Sequence, residues 1–203
     1  MSDDIQIVRV QSEQWLQERG ADFFRDLHTS SGLNRLGYVN SLEELFKNMW
    51  VAVTNLEGVV LLALRRTRRG LLKPVGYLLG DAGDRDPLTA EPAEVDYLDT
   101  HLSYRFQGVG SRLMHAYREI VRYSNSYHIT LSAIPSAVRF YLKLGLKAVS
   151  VGAMSGATEM QWNLPQGRKR KPAAGDYSRV VMPRIRRPRL AWPAPRNYEQ
   201  LLT

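Results

Sequence analysis

Apolar and polar residues alternate along Ile5–Val10 (IQIVRV), and a period of two predicts a strand there. The period then lengthens. Ser12 followed by Glu13 makes a helix start, and Leu16, Phe23 and Leu27 keep one helical face to about Leu27. Residues 29–40 carry Ser-Ser-Gly and Asn and predict a loop. Ser41 is a good cap for a second helix, with Glu43 and Glu44 in the first turn, where the helix dipole favours acids. Its face runs through Leu42, Leu45, Phe46, Met49, Val53 and Leu56 and ends near Gly58. The stretch 50–54 is rich enough in β-branched residues that a strand is the alternative for its second half.

Two extended runs, 59–66 and 74–80, flank a basic turn over 67–73 and predict an antiparallel hairpin. The polar run DAGDRDPLTAEP over 81–92 predicts a loop. A strand over 94–101 follows, then a helix over 111–123 and a strand over 128–134. Pro135 suits the first turn of the next helix, and Gly145 closes it. Two strands, 147–151 and 159–164, enclose a loop of small residues. No internal repeat is present.

Composition narrows the chemistry. The 203 residues are 44% hydrophobic and 24% charged, ordinary for a globular protein of one domain with an appendage. With no cysteine there can be no disulfide, thiolate nucleophile or Cys-based metal site. The four histidines (His28, His101, His115, His128) lack metal-site spacing, so no metal is expected. The short, acidic N-terminus does not read as a signal peptide, and no apolar run approaches the ~18–20 residues of a membrane span. A cytoplasmic protein without membrane partners is the expectation.

The net charge of +8 is unevenly placed. Ten of the 28 Lys/Arg and two of the 20 acids lie beyond Leu164, so 18 of each remain in 1–164. The body is neutral, and the tail over 165–203 carries the excess. Its Arg168–Lys171 cluster, its Arg184–Arg189 cluster and its prolines predict a basic docking extension, with Tyr177, Trp192 and Tyr198 as stacking groups. Such a tail fits an acidic protein surface or nucleic acid equally well.

The most pointed signal is Arg105-Phe106-Gln107-Gly108-Val109-Gly110-Ser111, between a predicted strand and a predicted helix. Two nearby glycines allow a tight turn and close backbone approach to a ligand. The helix start behind them offers unpaired N–H groups and the positive end of a dipole. Together these make a phosphate or pyrophosphate cradle. Neither GxxxxGK[ST] nor GxGxxG fits, since no Lys follows and the third glycine is missing.

The element order, with Arg105, Gly108 and Gly110 in a [Q/R]-x-x-G-x-[G/A] pattern and Ala137, Tyr141, Lys143, Leu144 and Gly145 in an A-x-x-x-Y-x-K-L-G-F-like helix, resembles the GNAT superfamily of acyl-CoA-dependent N-acyltransferases. The resemblance covers 1–164 and implies an α/β fold. In that fold a mixed, mostly antiparallel sheet, flanked by helices, splays between the 94–101 and 128–134 strands. It implies acetyl-CoA as co-substrate, its pyrophosphate on the amides from Arg105 to Ser111, with Thr100, Leu102, Arg105, Gln107, Gly108, Val109, Gly110 and Ser111 as binding residues. It implies Tyr141 as the acid that protonates the departing thiolate, with a core aromatic as the bland alternative. Glu94 falls where some members place a carboxylate base for the amine, and Asp96 shares its side of the strand two residues on, with a solvated strand-end acid as the alternative for either.

The implied reaction moves an acetyl group to a primary amine of a small molecule or protein, by direct attack in a ternary complex. Asp81, Asp84, Asp86 and Glu91 form an acidic loop suited to a cationic amine. Two other readings stay open. One is a catalytically silent GNAT-fold part of a larger assembly, such as a phage virion, docked through its tail or forming a homo-oligomer. The other is an acetyltransferase anchored on nucleic acid. Three positions depart from the family: Leu102 replaces a frequent Pro, Ile134 a frequent Asn, and Phe106 a small residue. Phe106 decides the state of the cradle, because a ring folded over the turn blocks it and a ring turned to the core leaves it open.

Overall fold

The run Val59–Leu64 is buried at every position, which a strand shows only when both of its faces are covered. Val59, Leu61 and Ala63 belong to one apolar cluster, and Val60, Leu62 and Leu64 to a second on the opposite face. A sheet with helices on both sides follows. The computed structural model describes residues 5–83, 91–124, 126–151 and 156–164, and the basic tail therefore lies outside the described residues.

The strands are β1 (Ile5–Val10), β2 (Gly58–Arg66), β3 (Leu72–Asp81), β4 (Ala93–Thr100), β5 (His128–Ala133), β6 (Lys147–Val151) and β7 (Thr158–Asn163). They form one sheet in the order β1–β2–β3–β4–β5–β7–β6. All neighbours are antiparallel except β4 and β5, which run parallel. The hairpin predicted across 67–73 is β2–β3.

The helices are α1 (Glu13–Gln17), α2 (Arg25–Thr29), α3 (Gly32–Arg35), α4 (Leu42–Thr54), α5 (Val109–Val121) and α6 (Pro135–Lys143). The single first helix expected to reach Leu27 is instead α1, a 3-10 turn at Ala21–Phe24 and α2, because the backbone leaves the helical region at Gly20 (φ 65). The expected loop over 29–40 contains α3, capped by the Ser31 hydroxyl accepting from the Asn34 amide at 3.1 Å. The strand alternative for 50–54 is not realised. Those residues complete α4, and Asn55 turns extended before β2 begins, leaving Leu56 in solvent.

On one face, α5 sets Val109, Leu113, Tyr117 and Val121 at four-residue spacing, with Met114 beside them, all 1% exposed or less. Burial of each such side chain contributes about 2 kcal/mol. Tyr141 and Phe140 of α6 pack into the same cluster. On the other face, Leu42, Leu45, Phe46 and Met49 of α4 pack with Leu16, Phe24, Leu27, Tyr77 and Leu79. The glycine turn therefore sits where β4 hands over to the helix that fills one face.

Candidate functional site

Strand β4 meets β5 at only three register pairs: Ala93 with Ile129, Glu94 with Thr130 and Val95 with Leu131. From Asp96 to Thr100, β4 has no register partner on that side. The strands splay, as expected from the resemblance. On its other side β4 carries an irregularity: Leu79 pairs with Tyr97 but Gly80 with Val95, leaving Asp96 as the extra residue of a bulge. A Cβ at position 80 would lie 2.2 Å from the Glu94 carbonyl oxygen, so only glycine permits this approach. The bulge also changes the faces. Val95 packs with the α5 cluster, whereas Tyr97 packs with the α4 cluster.

Beyond Thr100, a 3-10 turn at Leu102–Tyr104 is opened by the His101 ring, which accepts from the Ser103 amide at 3.1 Å. The chain then passes through the glycine turn into α5. Gly108 is left-handed (φ 77) at the cap, a conformation that disfavours other residues. A Cβ there would meet nothing within 4 Å, so the space before the turn is open. The first intrahelical bond is the Arg112 amide to the Gly108 carbonyl at 3.0 Å. The amides of Gly108, Val109, Gly110 and Ser111 precede it and have no carbonyl one turn back. These residues suit the negatively charged pyrophosphate of an acyl-CoA.

The eight predicted binding residues are brought together here, but they divide by task. The Arg105 and Gln107 amides already donate within the turn, to the Leu102 and Tyr104 carbonyls at 3.2 and 3.4 Å. This narrows the cradle to the amides of Phe106 and 108–111. The Gln107 side chain donates to the Ser103 carbonyl at 2.8 Å. The Val109 side chain is core, so only its backbone faces a ligand's needs. Thr100 and Leu102 are half-buried at the approach, and Gly110 lies against the Phe140 ring. The Arg105 guanidinium turns back, 3.7 Å from Asp99 Oδ1 and against Gly32.

Phe106 follows neither expected course. Its ring is wholly in solvent, at 105% relative exposure, and its backbone is left-handed (φ 65). It neither covers the turn nor joins the core.

Asp99 is the residue that sequence reasoning missed. It is 7% exposed and accepts from the Ser31 hydroxyl, the Leu33 amide at 2.9 Å and the Thr100 amide at 2.7 Å. With Arg105 beside it, Asp99 joins β4, the start of α3 and the glycine turn. Its signal in sequence is a carboxylate in the last turn of a strand, indistinguishable from Asp96 until the bulge is known.

The catalytic candidates occupy different settings. Tyr141 is buried (7% exposed), edge-on to Phe140 with ring centroids 4.9 Å apart. Burial first, and the Asp99 charge second, push its phenol well above its ordinary value, so it keeps its proton. Asp96 and Glu94 are both exposed on β4. Partial desolvation, with like charge from Glu94 and Asp81, pushes the Asp96 carboxyl up to about 6. Asp96 lines a cleft of about 210 Å³ with Asn48 and Val51 of α4, Asn55 just beyond it and Asp81 of β3. Tyr117 braces this region from the α5 side, its hydroxyl donating to the Asp81 carbonyl and lying 2.7 Å from the Glu94 carbonyl. In the acidic loop, Asp84 and Asp86 lie outside the described residues. Among the described residues no helix is long and apolar enough to cross a membrane.

Residues 80–157 match the family described as the acetyltransferase (GNAT) domain. That span begins at the bulge and takes in β4, the glycine turn, α5, β5, α6 and β6. No curated protein matches the sequence. Solved structures that share the fold include an aminoglycoside 6′-acetyltransferase type Ii, 19% identical, covering 79% of this chain and 99% of its own (TM-score 0.56). Another is the PaiA N-acetyltransferase of Thermoplasma acidophilum, solved with coenzyme A, 17% identical, covering 78% and 99% (TM-score 0.54). A third is an acetyltransferase from Thermus thermophilus, 16% identical, covering 78% and 97% (TM-score 0.55). At these identities the structures speak for the fold, and the match over 80–157 speaks for the family. The chain has the GNAT fold, and its residues 80–157 are similar to the GNAT acetyltransferase domain.

Proposed function

We propose that the protein transfers an acetyl group from acetyl-CoA to a primary amine by direct attack in a ternary complex. The observation that carries this reading is the open stretch of β4 from Asp96 to Thr100, which runs from the cleft to the amides of 108–111. An acyl-CoA laid along it has its pyrophosphate at the glycine turn and its thioester toward the bulge. The amide groups and the positive end of the α5 dipole then hold the phosphates.

The acceptor amine arrives as an ammonium ion and must lose a proton before it attacks. Asp96, ionised above about pH 6, is the base, directly or through one water. The amine nitrogen attacks the thioester carbonyl, its lone pair forming the new C–N bond. Collapse of the tetrahedral species breaks the C–S bond, the thiolate takes a proton from Tyr141, and the second proton of the attacking nitrogen, passed on through water, restores the phenol and leaves a neutral amide. The Tyr141 phenol carries its proton at neutral pH, as the acid of this step must. No Cys exists to form an acyl-enzyme, which favours the single-step course. The acids around the cleft, Asp81, Glu94 and Asp96, favour a cationic acceptor over an anionic one.

The reading is tested by incubating the full chain with acetyl-CoA and a panel of small amines, polyamines and basic peptides, and following thiol release. Amine-dependent release is expected for at least one cationic acceptor. Absence of acetyl-CoA binding by calorimetry, together with absence of release, would leave a silent GNAT-fold structural role as the better reading. We propose separately that the tail over 165–203 docks on an acidic partner. A chain ending at Leu164 should keep acetyl-CoA affinity while losing retention on an anionic matrix.

A further inference from the structure

Phe106 is costly to the fold and contributes nothing to its packing. A non-glycine residue at φ 65 carries strain of about 1 kcal/mol, and a fully exposed ring gains no burial in return. Other exposed aromatic side chains, such as Tyr38, Tyr123 and Tyr127, retain relative exposures of 47–53%. Phe106 alone among them stands free, and it stands inside the phosphate turn.

We propose that the Phe106 ring is a stacking platform for the purine base of the acyl-CoA, an inference that rests on the acyl-CoA site proposed above. A pyrophosphate on the amides of 108–111 has two arms. The acyl-pantetheine arm follows the open stretch of β4 inward, toward Asp96 and its cleft. The nucleoside arm therefore leaves outward, on the solvent side of the turn, where the ring stands. A purine offers a flat apolar face with polar edges, and an aromatic ring in water is its natural counterpart. The left-handed backbone at position 106 sends the side chain away from the core, so the strain has a use. It keeps the ring beside the cradle while leaving the amides uncovered. The sequence raised Phe106 as a possible obstruction; the structure makes it an extension of the site.

The test compares acetyl-CoA with acetyl-4′-phosphopantetheine, which keeps one phosphate and lacks the 3′-phosphoadenylyl half, on the full-length chain and its variants by calorimetry. Phe106→Ala keeps the backbone conformation and removes the ring. It should weaken acetyl-CoA binding about tenfold and leave acetyl-4′-phosphopantetheine within about twofold. Phe106→Trp should restore acetyl-CoA affinity. Phe106→Gly should bind like the Ala variant yet melt no lower than the native chain, which separates loss of the ring from loss of the fold. An unchanged affinity for acetyl-CoA in Phe106→Ala, or equal weakening of both ligands, would overturn the stacking role while leaving the acyl-CoA site standing. A native chain that binds neither ligand would overturn both.

Discussion

Asp96 and Asp99 lie three residues apart on β4 and have become opposite things. Asp96 has acids for neighbours, Glu94 and Asp81, in a partly open cleft, and its carboxyl is pushed up to about 6. Asp99 has donors for neighbours: a hydroxyl, two backbone amides and a guanidinium, at 7% exposure. One carboxylate has like charges beside it and ionises only near pH 6; the other is held by donors. The side chain is the same, and the bulge decides which environment each receives. Proton transfer needs a group whose charge is only marginally favoured, whereas a structural anchor needs the reverse. The comparison can be broken from either side.

The largest effect is expected at Asp96. Asp96→Asn removes the base and should lower kcat about a thousandfold, while the KM for acetyl-CoA stays within about threefold. In the native chain kcat/KM should rise with pH through about 6 as the carboxylate forms, and that limb should vanish in the variant. Steady-state rates from pH 5 to 8 decide this. A native profile flat across pH 6 would remove Asp96 from the mechanism.

Asp99 should answer in stability. Asp99→Ala strands the Ser31 hydroxyl and the Leu33 and Thr100 amides and leaves Arg105 without its carboxylate. About 3 kcal/mol is expected, read as a fall in urea midpoint with an unchanged slope. Asp99→Asn should cost less, because the amide oxygen still accepts. A loss under about 0.5 kcal/mol in the Ala variant would mean that the hub holds nothing together.

Why the sequence could place the strand and yet not tell its two aspartates apart is itself physical. Alternation, caps and glycine turns are local, so β1, the β2–β3 hairpin, α4 to α6 and the turn at 105–111 were all legible. The bulge was not legible, because it depends on a neighbouring strand: Gly80 can approach the Glu94 carbonyl only once β3 and β4 are paired. Without it, strict alternation carries through 94, 96, 98 and 100, and Asp99 falls with Val95 on the α5 face. Asp99's partners at Ser31 and Leu33 are more than sixty positions away in a stretch that reads as loop. The direction of the Phe106 ring was equally hidden, since it follows from one backbone angle.

Tyr141 sharpens the comparison, because burial first and the Asp99 charge second raise its phenol. Tyr141→Phe should lower kcat about tenfold, with acetyl-CoA affinity and melting temperature close to native. The deficit should shrink for acyl donors with a more acidic leaving thiol, which need less help in departing. Equal deficits for donors of different leaving ability would return Tyr141 to the role of a core aromatic.

The smallest effect is a stability difference at Asp96 whose sign depends on pH. Its folded-state carboxyl lies at about 6, above its ordinary value of 3.8. Between those values the folded state binds more protons than the unfolded chain, so stability from this group falls as pH rises. The favourable contribution is whole below about pH 4 and lost once pH passes 6, leaving a carboxylate among carboxylates. Asp96→Asn should therefore melt about 1–2 °C higher than the native chain at pH 7.5, with that advantage gone at pH 4. The shift is small because solvent reaches Asp96 and screens its neighbours. The same substitution at Asp99 should lower the melting temperature at both pH values, since donors and not acids surround it. Parallel behaviour of the two variants would dissolve the distinction between an anchoring and a proton-transferring carboxylate on this strand.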